Sequence, residues 1–419
     1  MTNPPRSGRR PCTSRSRPGR GVRAVLRGIV LMLVMAWAVG LPVDGRGVES
    51  RPERSAADRG ALAQRLRRTY AGERAGWPPP MVEPGIEWQE LGLLPVVVHP
   101  DTNPLGTAKV LLGRTLFFDA RLSASGKLAC VSCHEPSLGW ADGRATSRSP
   151  GSSPPRRSAD RNTPTVRNVA FQRWLFWDGR ATSLEQQAED ALTNPLEMAA
   201  SRERVVGLLS RSAGYRQLFA DAFPDRPIDF SAVVDAIACF ERTIVGGRSR
   251  FDAFLRGDAT ALSDAALIGL DLFRREARCM NCHHGPTFSD GRFHDLGLSY
   301  YGRHHEDLGR YAVTEHPGDA GRFRTPSLRD VTQTAPLMHN GMFELPGVLK
   351  MYNGGMVTLR RYAFQRDDPL FPVKSPLLAA LGLNGQDLAD LAAFLEALEE
   401  PRQRVRVPPL PEIDGASDP

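Results

Sequence analysis

Beyond residue 43 the chain has no apolar run long enough to cross a bilayer. It has no acidic residue among its first 38, no histidine between residues 135 and 282, and no convincing alternation of apolar and polar residues. The last absence argues against a sheet-built fold. The first 38 residues hold eight arginines, and these account for the net charge of +7. The remaining 46 basic residues are matched by 47 acidic ones, so the basicity does not describe a nucleic-acid-binding surface. Arg6 to Arg27 instead forms the n-region of an export signal, Gly28 to Val39 its apolar region, and Ala36-Trp37-Ala38 a cleavage site. The alternative is an uncleaved anchor, since the apolar run reaches Val43. In either case the body is exported. At 419 residues and 41% hydrophobic content, it has room for two domains with their own cores.

Only six cysteines are present, and four of them fall in two pentapeptides, Cys130-Val131-Ser132-Cys133-His134 and Cys279-Met280-Asn281-Cys282-His283. C-x-x-C-H is the attachment pattern for c-type haem: two thiols form thioethers and the histidine becomes the proximal iron ligand. This composition gives an expected count of roughly two in a thousand for one such pentapeptide. A zinc site would want its two cysteine pairs close together, and these lie 149 residues apart. A redox dithiol does not require the following histidine, and two disulfides would close very short loops. Two covalent haem c groups are therefore expected. Attachment outside the cytoplasm agrees with the export signal and points to the periplasm. Cys12 precedes the apolar region of the signal, and Cys239 sits in a helical pattern as a buried, inert thiol.

Helical periodicity recurs along the chain. Ala56–Arg74 reads as an amphipathic helix ended by Trp77-Pro78-Pro79-Pro80, within an N-terminal extension or linker over 39–87. Asn103-Pro104 is expected to open a helix whose apolar face is Leu111, Leu112, Leu116 and Phe117. Residues 144–160 and 285–320 read as loops. Further helices are expected over 184–192, 203–209, 215–223, 230–245, 264–274 (with Ser263 as N-cap) and 386–398. The tail, 401–419, is proline-rich and expected to be disordered. The fold class is all-α: two cytochrome c-like domains, 88–262 and 263–400, each with a helix leading into its C-x-x-C-H.

Three further stretches narrow this. They are Arg161-Asn162-Thr163-Pro164-Thr165 continuing to Phe176-Trp177-Asp178-Gly179-Arg180 and Gln186-Gln187; Asn194-Pro195-Leu196-Glu197-Met198; and Phe323-Arg324-Thr325-Pro326-Ser327-Leu328-Arg329 continuing to Met338-His339-Asn340-Gly341. With both haem motifs, residues 100–400 resemble the bacterial di-haem cytochrome c peroxidase family, which includes the MauG-like enzymes. The resemblance implies a peroxidatic haem in the N-terminal domain and an electron-transfer haem in the C-terminal one. It implies that Trp177 lies between them, and that Glu197 is the catalytic acid–base group, whose task wants a raised pKa. It also implies Gln187 in the distal pocket and His339 near the haems, in a structural or a chemical role. One Ca²⁺ is implied, held by Asn162 and by the backbone carbonyls of Thr334 and Pro336; hard oxygen ligands suit that ion.

The sequence departs from the family pattern at three places. Peroxidases that need reductive activation carry a capping histidine about sixteen residues past the first motif. Here that count reaches Pro150, so the first haem is expected to be open as isolated. The sixth ligand of the second haem, Met in most family peroxidases and Tyr in MauG-like enzymes, falls about fourteen residues past the histidine of the third stretch. Met351 and Tyr352 lie at +12 and +13, with one residue fewer in the turn at Glu344-Leu345-Pro346. Only one can face the iron from a helix, and Tyr352 followed by Asn353 matches the MauG-like pattern. A phenolate would favour higher oxidation states than a thioether. Third, MauG has a surface tryptophan two residues before its second motif, and Ala277 stands there.

The resemblance thus implies an enzyme that reduces hydrogen peroxide with electrons from a small periplasmic cytochrome c or cupredoxin. The alternative is a MauG- or MbnH-like enzyme that oxidises Trp or Tyr residues of a partner protein. A plain di-haem electron carrier is the reading of another class, disfavoured by Glu197 and the uncapped haem. Family members often dimerise, so the resemblance leaves a homodimer open, and nothing in the sequence marks a dimer surface.

Overall fold

The computed structural model describes residues 50–147 and 161–414; the stretch read as an export signal, 1–38, and the Pro150 position lie outside them. Among these residues the helices are α1 (Ala56–Tyr70), α2 (Thr107–Phe117), α3 (Leu184–Thr193), α4 (Arg202–Ser210), α5 (Ala213–Ala222), α6 (Phe230–Glu241), α7 (Arg250–Leu255), α8 (Asp264–Arg274), α9 (Tyr311–Thr314), α10 (Leu345–Asn353) and α11 (Gly385–Glu396). Their starts are chemically marked. Ser55, Ser183, Ser201, Ser212, Asp229, Ser249, Ser263 and Asn384 each accept a backbone N–H of the first turn. Such caps contribute about 1 kcal/mol each.

The expectation of an all-α chain needs one correction. Phe293–Asp295 (β1) and Arg322–Arg324 (β2) pair antiparallel, Phe293 opposite Arg324. Three residues per strand are too few to show a period of two. Among the described residues the chain is mostly helical, with one ribbon that pairs a strand in the 285–320 loop with the strand just after it.

Two cores repeat one arrangement. In the first, α2 crosses α6 at Gly113, where a Cβ would fall 1.8 Å from the Ala236 carbonyl oxygen. In the second, α8 crosses α11 at Gly269, where a Cβ would fall 1.9 Å from the Asp390 carbonyl oxygen. One turn further on, Phe117 packs edge-on against Phe240 with centroids 5.4 Å apart, and Phe273 meets Phe394 at 5.3 Å. Each crossing is followed by a C-x-x-C-H. Gly269→Ala is expected to cost about 1–3 kcal/mol through overpacking against an unyielding backbone. Denaturant unfolding of the variant beside the wild type measures this.

The structure departs from the sequence reading in several places. Asn103 does not open a helix; its buried amide spans Glu185 Oε1 (2.7 Å), the Asp235 carbonyl (2.8 Å) and Lys109 Nζ (3.0 Å), and α2 starts at Thr107. On α2, Leu111 is half exposed while Leu112, Leu116 and Phe117 are buried. The described part of the 39–87 stretch, residues 50–87, is no loose linker: Ala63, Leu66, Tyr70 and Trp77 belong to the second core, and Tyr70 hydroxyl donates to Asp271 at 2.7 Å. Residues 401–414 are not a free tail either. Val405 and Ile413 pack on the first core, and the Asp414 N–H donates to the Arg211 carbonyl. Proline-rich chain without periodicity reads as disorder, yet it orders when isolated apolar side chains find an existing core.

Candidate active site

Each C-x-x-C-H folds as a tight turn, Cys130–Ser132 and Cys279–Asn281, closed by His134 N–H to the Cys130 carbonyl (2.9 Å) and His283 N–H to the Cys279 carbonyl (2.8 Å). The turn brings both cysteines and the histidine to one wall. His134 Nδ1 lies 3.2 Å from the Trp140 carbonyl and His283 Nδ1 2.9 Å from that of Phe288. A ring that donates from Nδ1 presents its Nε2 lone pair to the cavity, which is how metal-bound histidines are oriented. Burial lowers both pKa values, keeping the rings neutral as ligation requires.

A cavity of about 1220 Å³ opens before His134, and a narrower apolar one of about 220 Å³ before His283. Both have the donor set for covalent haem. A further fit comes from Arg324, which lines both cavities and, among the described residues, has no carboxylate partner; burial pulls its pKa down to about 10. A buried cation without a counter-ion suits a haem propionate.

Glu197, Gln187 and Trp177 all line the His134 cavity. Asn194 Nδ2 donates to Glu197 Oε1 at 2.9 Å and Arg180 lies 3.5 Å from the same oxygen, which leaves Oε2 to the cavity. Burial pushes the Glu197 pKa up, with Arg180 and Asn194 pulling it partly back. Gln187 sits one helical turn along α3 from Ser183, whose carbonyl takes its N–H.

Trp177 lines both cavities. Its indole N–H donates to the Asn162 carbonyl (2.9 Å), and its own carbonyl accepts from Arg324 N–H (2.8 Å). His339 also lines both; it stacks on Phe323 (centroids 3.6 Å) and stands edge-on to Trp177 (6.3 Å). Burial brings its pKa down to about 4, so the imidazole is neutral at physiological pH. Asn162 N–H donates to the His339 carbonyl (2.7 Å) and Asn162 Nδ2 to that of Arg144 (2.7 Å). The amide oxygen is thereby left for another partner. Thr334 shares the second cavity's wall with Asn162, two residues before Pro336.

Helix α10 carries Met351 and Tyr352, and Tyr352 is the one that lines the His283 cavity. Its phenol is pushed up by burial beside Cys282 and Cys279.

Two features escaped the sequence reading. Glu241, the last residue of α6, is 4% exposed and lines the His134 cavity, with Oε2 lacking a hydrogen-bond partner; burial pushes its carboxyl up to about 8. The signal was present: Glu241 follows Ile237 by one turn on an apolar face. The second is the 304–307 segment, whose His304, His305, Glu306 and Asp307 reach the His134 cavity from the far half of the chain. Asp307 is held there by Arg161 (2.7 and 2.8 Å), a long-range pairing that no local pattern encodes.

With this geometry in hand, comparison with known proteins is direct. Residues 107–260 match the family model for di-haem cytochrome c peroxidase. The chain is 39% identical over 320 residues to the methylamine utilization protein MauG of Methylorubrum extorquens, covering 75% of this chain and 85% of that protein. It is 38% identical to the cytochrome-c peroxidase IdrP1 of Denitromonas iodatirespirans, covering 74% and 86%. Among solved structures, a MauG-like protein associated with microbial copper homeostasis superposes with TM-score 0.66 at 33% identity, over 75% of this chain and 95% of that one. The chain belongs to the di-haem cytochrome c peroxidase family, the group that also holds the MauG-like enzymes. It is an oxidoreductase of the peroxide-using, c-type haem class.

Proposed function

We propose that the protein reduces hydrogen peroxide in the His134 cavity with electrons that enter at the His283 site from a periplasmic redox protein. The observation that carries this reading is that Trp177 lines both cavities while Glu197 shares the first. Cys130, Cys133 and His134 would hold one haem c and Cys279, Cys282 and His283 the other, and these would supply an iron for peroxide at the first site and a one-electron store at the second. Glu197 takes the proton of one peroxide oxygen at Oε2 and returns it to the other, so that the O–O bond breaks with water leaving. Gln187 orients peroxide from the same wall. Trp177 bridges the two sites, and His339, neutral and stacked, fixes its edge. The balance is one peroxide, two electrons and two protons to two waters. Asn162 Oδ1 with the carbonyls of Thr334 and Pro336 offers oxygen ligands for one Ca²⁺, which would tie the Trp177 segment to the third motif.

A second reading, oxidation of Trp or Tyr residues on a partner protein, is favoured by Tyr352 on the second cavity wall. Among the described residues no helix is long and apolar enough to cross a membrane.

The test mixes isolated, oxidised protein with peroxide and a reduced carrier, with no prior reduction. Turnover from the first mixing, with two carriers oxidised per peroxide, is the expected result. A lag abolished only by pre-reduction contradicts the open His134 site, and no carrier oxidation contradicts the peroxidase reading. A long-lived oxidised protein formed without carrier selects the second reading.

A further inference from the structure

Residues 357–374 form a flap that leaves α10 just beyond Tyr352 and returns to the same cavity, where Leu377, Leu378 and Leu381 line the wall. Its feet are fixed: Lys374 Nζ donates to the Gly355 carbonyl (2.8 Å), Ser375 N–H to that of Asp295 (2.9 Å), and Leu381 N–H to that of Asn353 (2.9 Å). Phe371 turns inward against Tyr301, with centroids 5.6 Å apart. The outer face is unusual. Phe364 is 84% exposed and Tyr362 46%, their rings stacked 5.8 Å apart. Arg360, Arg361 and Arg366 are exposed around them, Arg360 lying 5.5 Å from the Tyr362 ring; among the described residues none forms an ion pair with a carboxylate, and of the two acidic neighbours Asp367 is exposed while Asp368 accepts the Tyr301 hydroxyl. Aromatic and arginine side chains gathered on one exposed face are what interface centres are made of.

We propose that this face docks an acidic one-electron carrier protein and so sets where electrons enter. The proposal rests on the peroxidase reading above. The occupant follows from charge and place. The chain beyond residue 38 is balanced, 46 basic against 47 acidic residues, so the arginine cluster is local rather than a share of a general excess. A second copy docking the same face on itself would set like charges together. A carrier with an acidic rim around an apolar contact matches Phe364 and its arginines, and the flap leads straight to the Tyr352 wall. Each carrier loses one electron; two carriers and two solvent protons balance each peroxide reduced to two waters.

The experiment compares the wild type with an Arg360→Glu, Phe364→Ser, Arg366→Glu variant; Arg361 stays because it packs 4.4 Å from the Phe371 ring. The probes are an acidic plastocyanin and the basic mitochondrial cytochrome c, both reduced. Binding to the immobilised holoprotein is read by surface plasmon resonance, and peroxide turnover with a small organic reductant is read separately. Expected are tighter binding of plastocyanin than of cytochrome c, weakened by salt, and a loss of tenfold or more in the variant at unchanged turnover with the small reductant. Unchanged plastocyanin binding in the variant overturns the proposal. So does a wild-type preference for the basic cytochrome, for vesicles of anionic phospholipid or for a second copy in sedimentation. Failure of the wild type to turn over peroxide with the small reductant strikes the peroxidase reading instead, and the binding data still stand or fall on their own.

Discussion

Glu197→Gln is expected to slow the reaction with peroxide by about two to four orders of magnitude, the usual weight of a positioned acid–base group. Glutamine keeps the shape and can still accept from Asn194, but it cannot take a proton at the atom that faces the cavity. The pH profile gives a second signature. Glu197 must be ionised to accept the first proton, and burial raises its pKa above the ordinary carboxylate range. The rate should therefore fall as pH drops through that raised value, and the glutamine variant should lack this step. Stopped-flow mixing with peroxide from pH 4 to 8 reads both. A variant within a few-fold of the wild type, with the step retained, would move the acid–base role elsewhere; Glu241, orphaned on the same cavity wall, is then the group to examine.

The second large effect is expected at Tyr352. Tyr352→Phe removes the oxygen that faces the His283 cavity, and the low-spin EPR signal of that centre should be lost. Met351→Leu should leave it unchanged, because Met351 is not on that wall. An anionic phenolate stabilises the oxidised metal more than a thioether does, so the variant's centre should also reduce more easily. The opposite pattern, with the methionine variant losing the signal, would require α10 to rotate by about 100°.

How much of this was legible in the sequence varies with the range of the interaction. The two C-x-x-C-H turns, and helices such as α8 with its Ser263 cap, are local and were readable. Tyr352 and Met351 were separable only by pattern, since the periodicity of α10 does not say which face meets a cavity whose Cys279, Cys282 and His283 come from a distant part of the chain. The repeated crossing at Gly113 and Gly269 was hidden, because a glycine inside a helical run looks like a weak helix former until its partner backbone is in place. The packing of α1 on α8, the seating of Ile413, and the Arg161–Asp307 pair that brings the 304–307 segment to the first cavity are all long-range. None leaves a local signature. Glu241 is a carboxylate on an apolar stripe, and its core neighbours mask that signal in the sequence.

We propose that two like attachment turns hold unlike centres, His134 open and His283 closed by Tyr352. The EPR spectrum of the isolated, fully oxidised holoprotein tests this most directly. One high-spin signal beside one low-spin signal, the latter absent in Tyr352→Phe, is predicted. Two low-spin signals, both surviving in that variant, would contradict it.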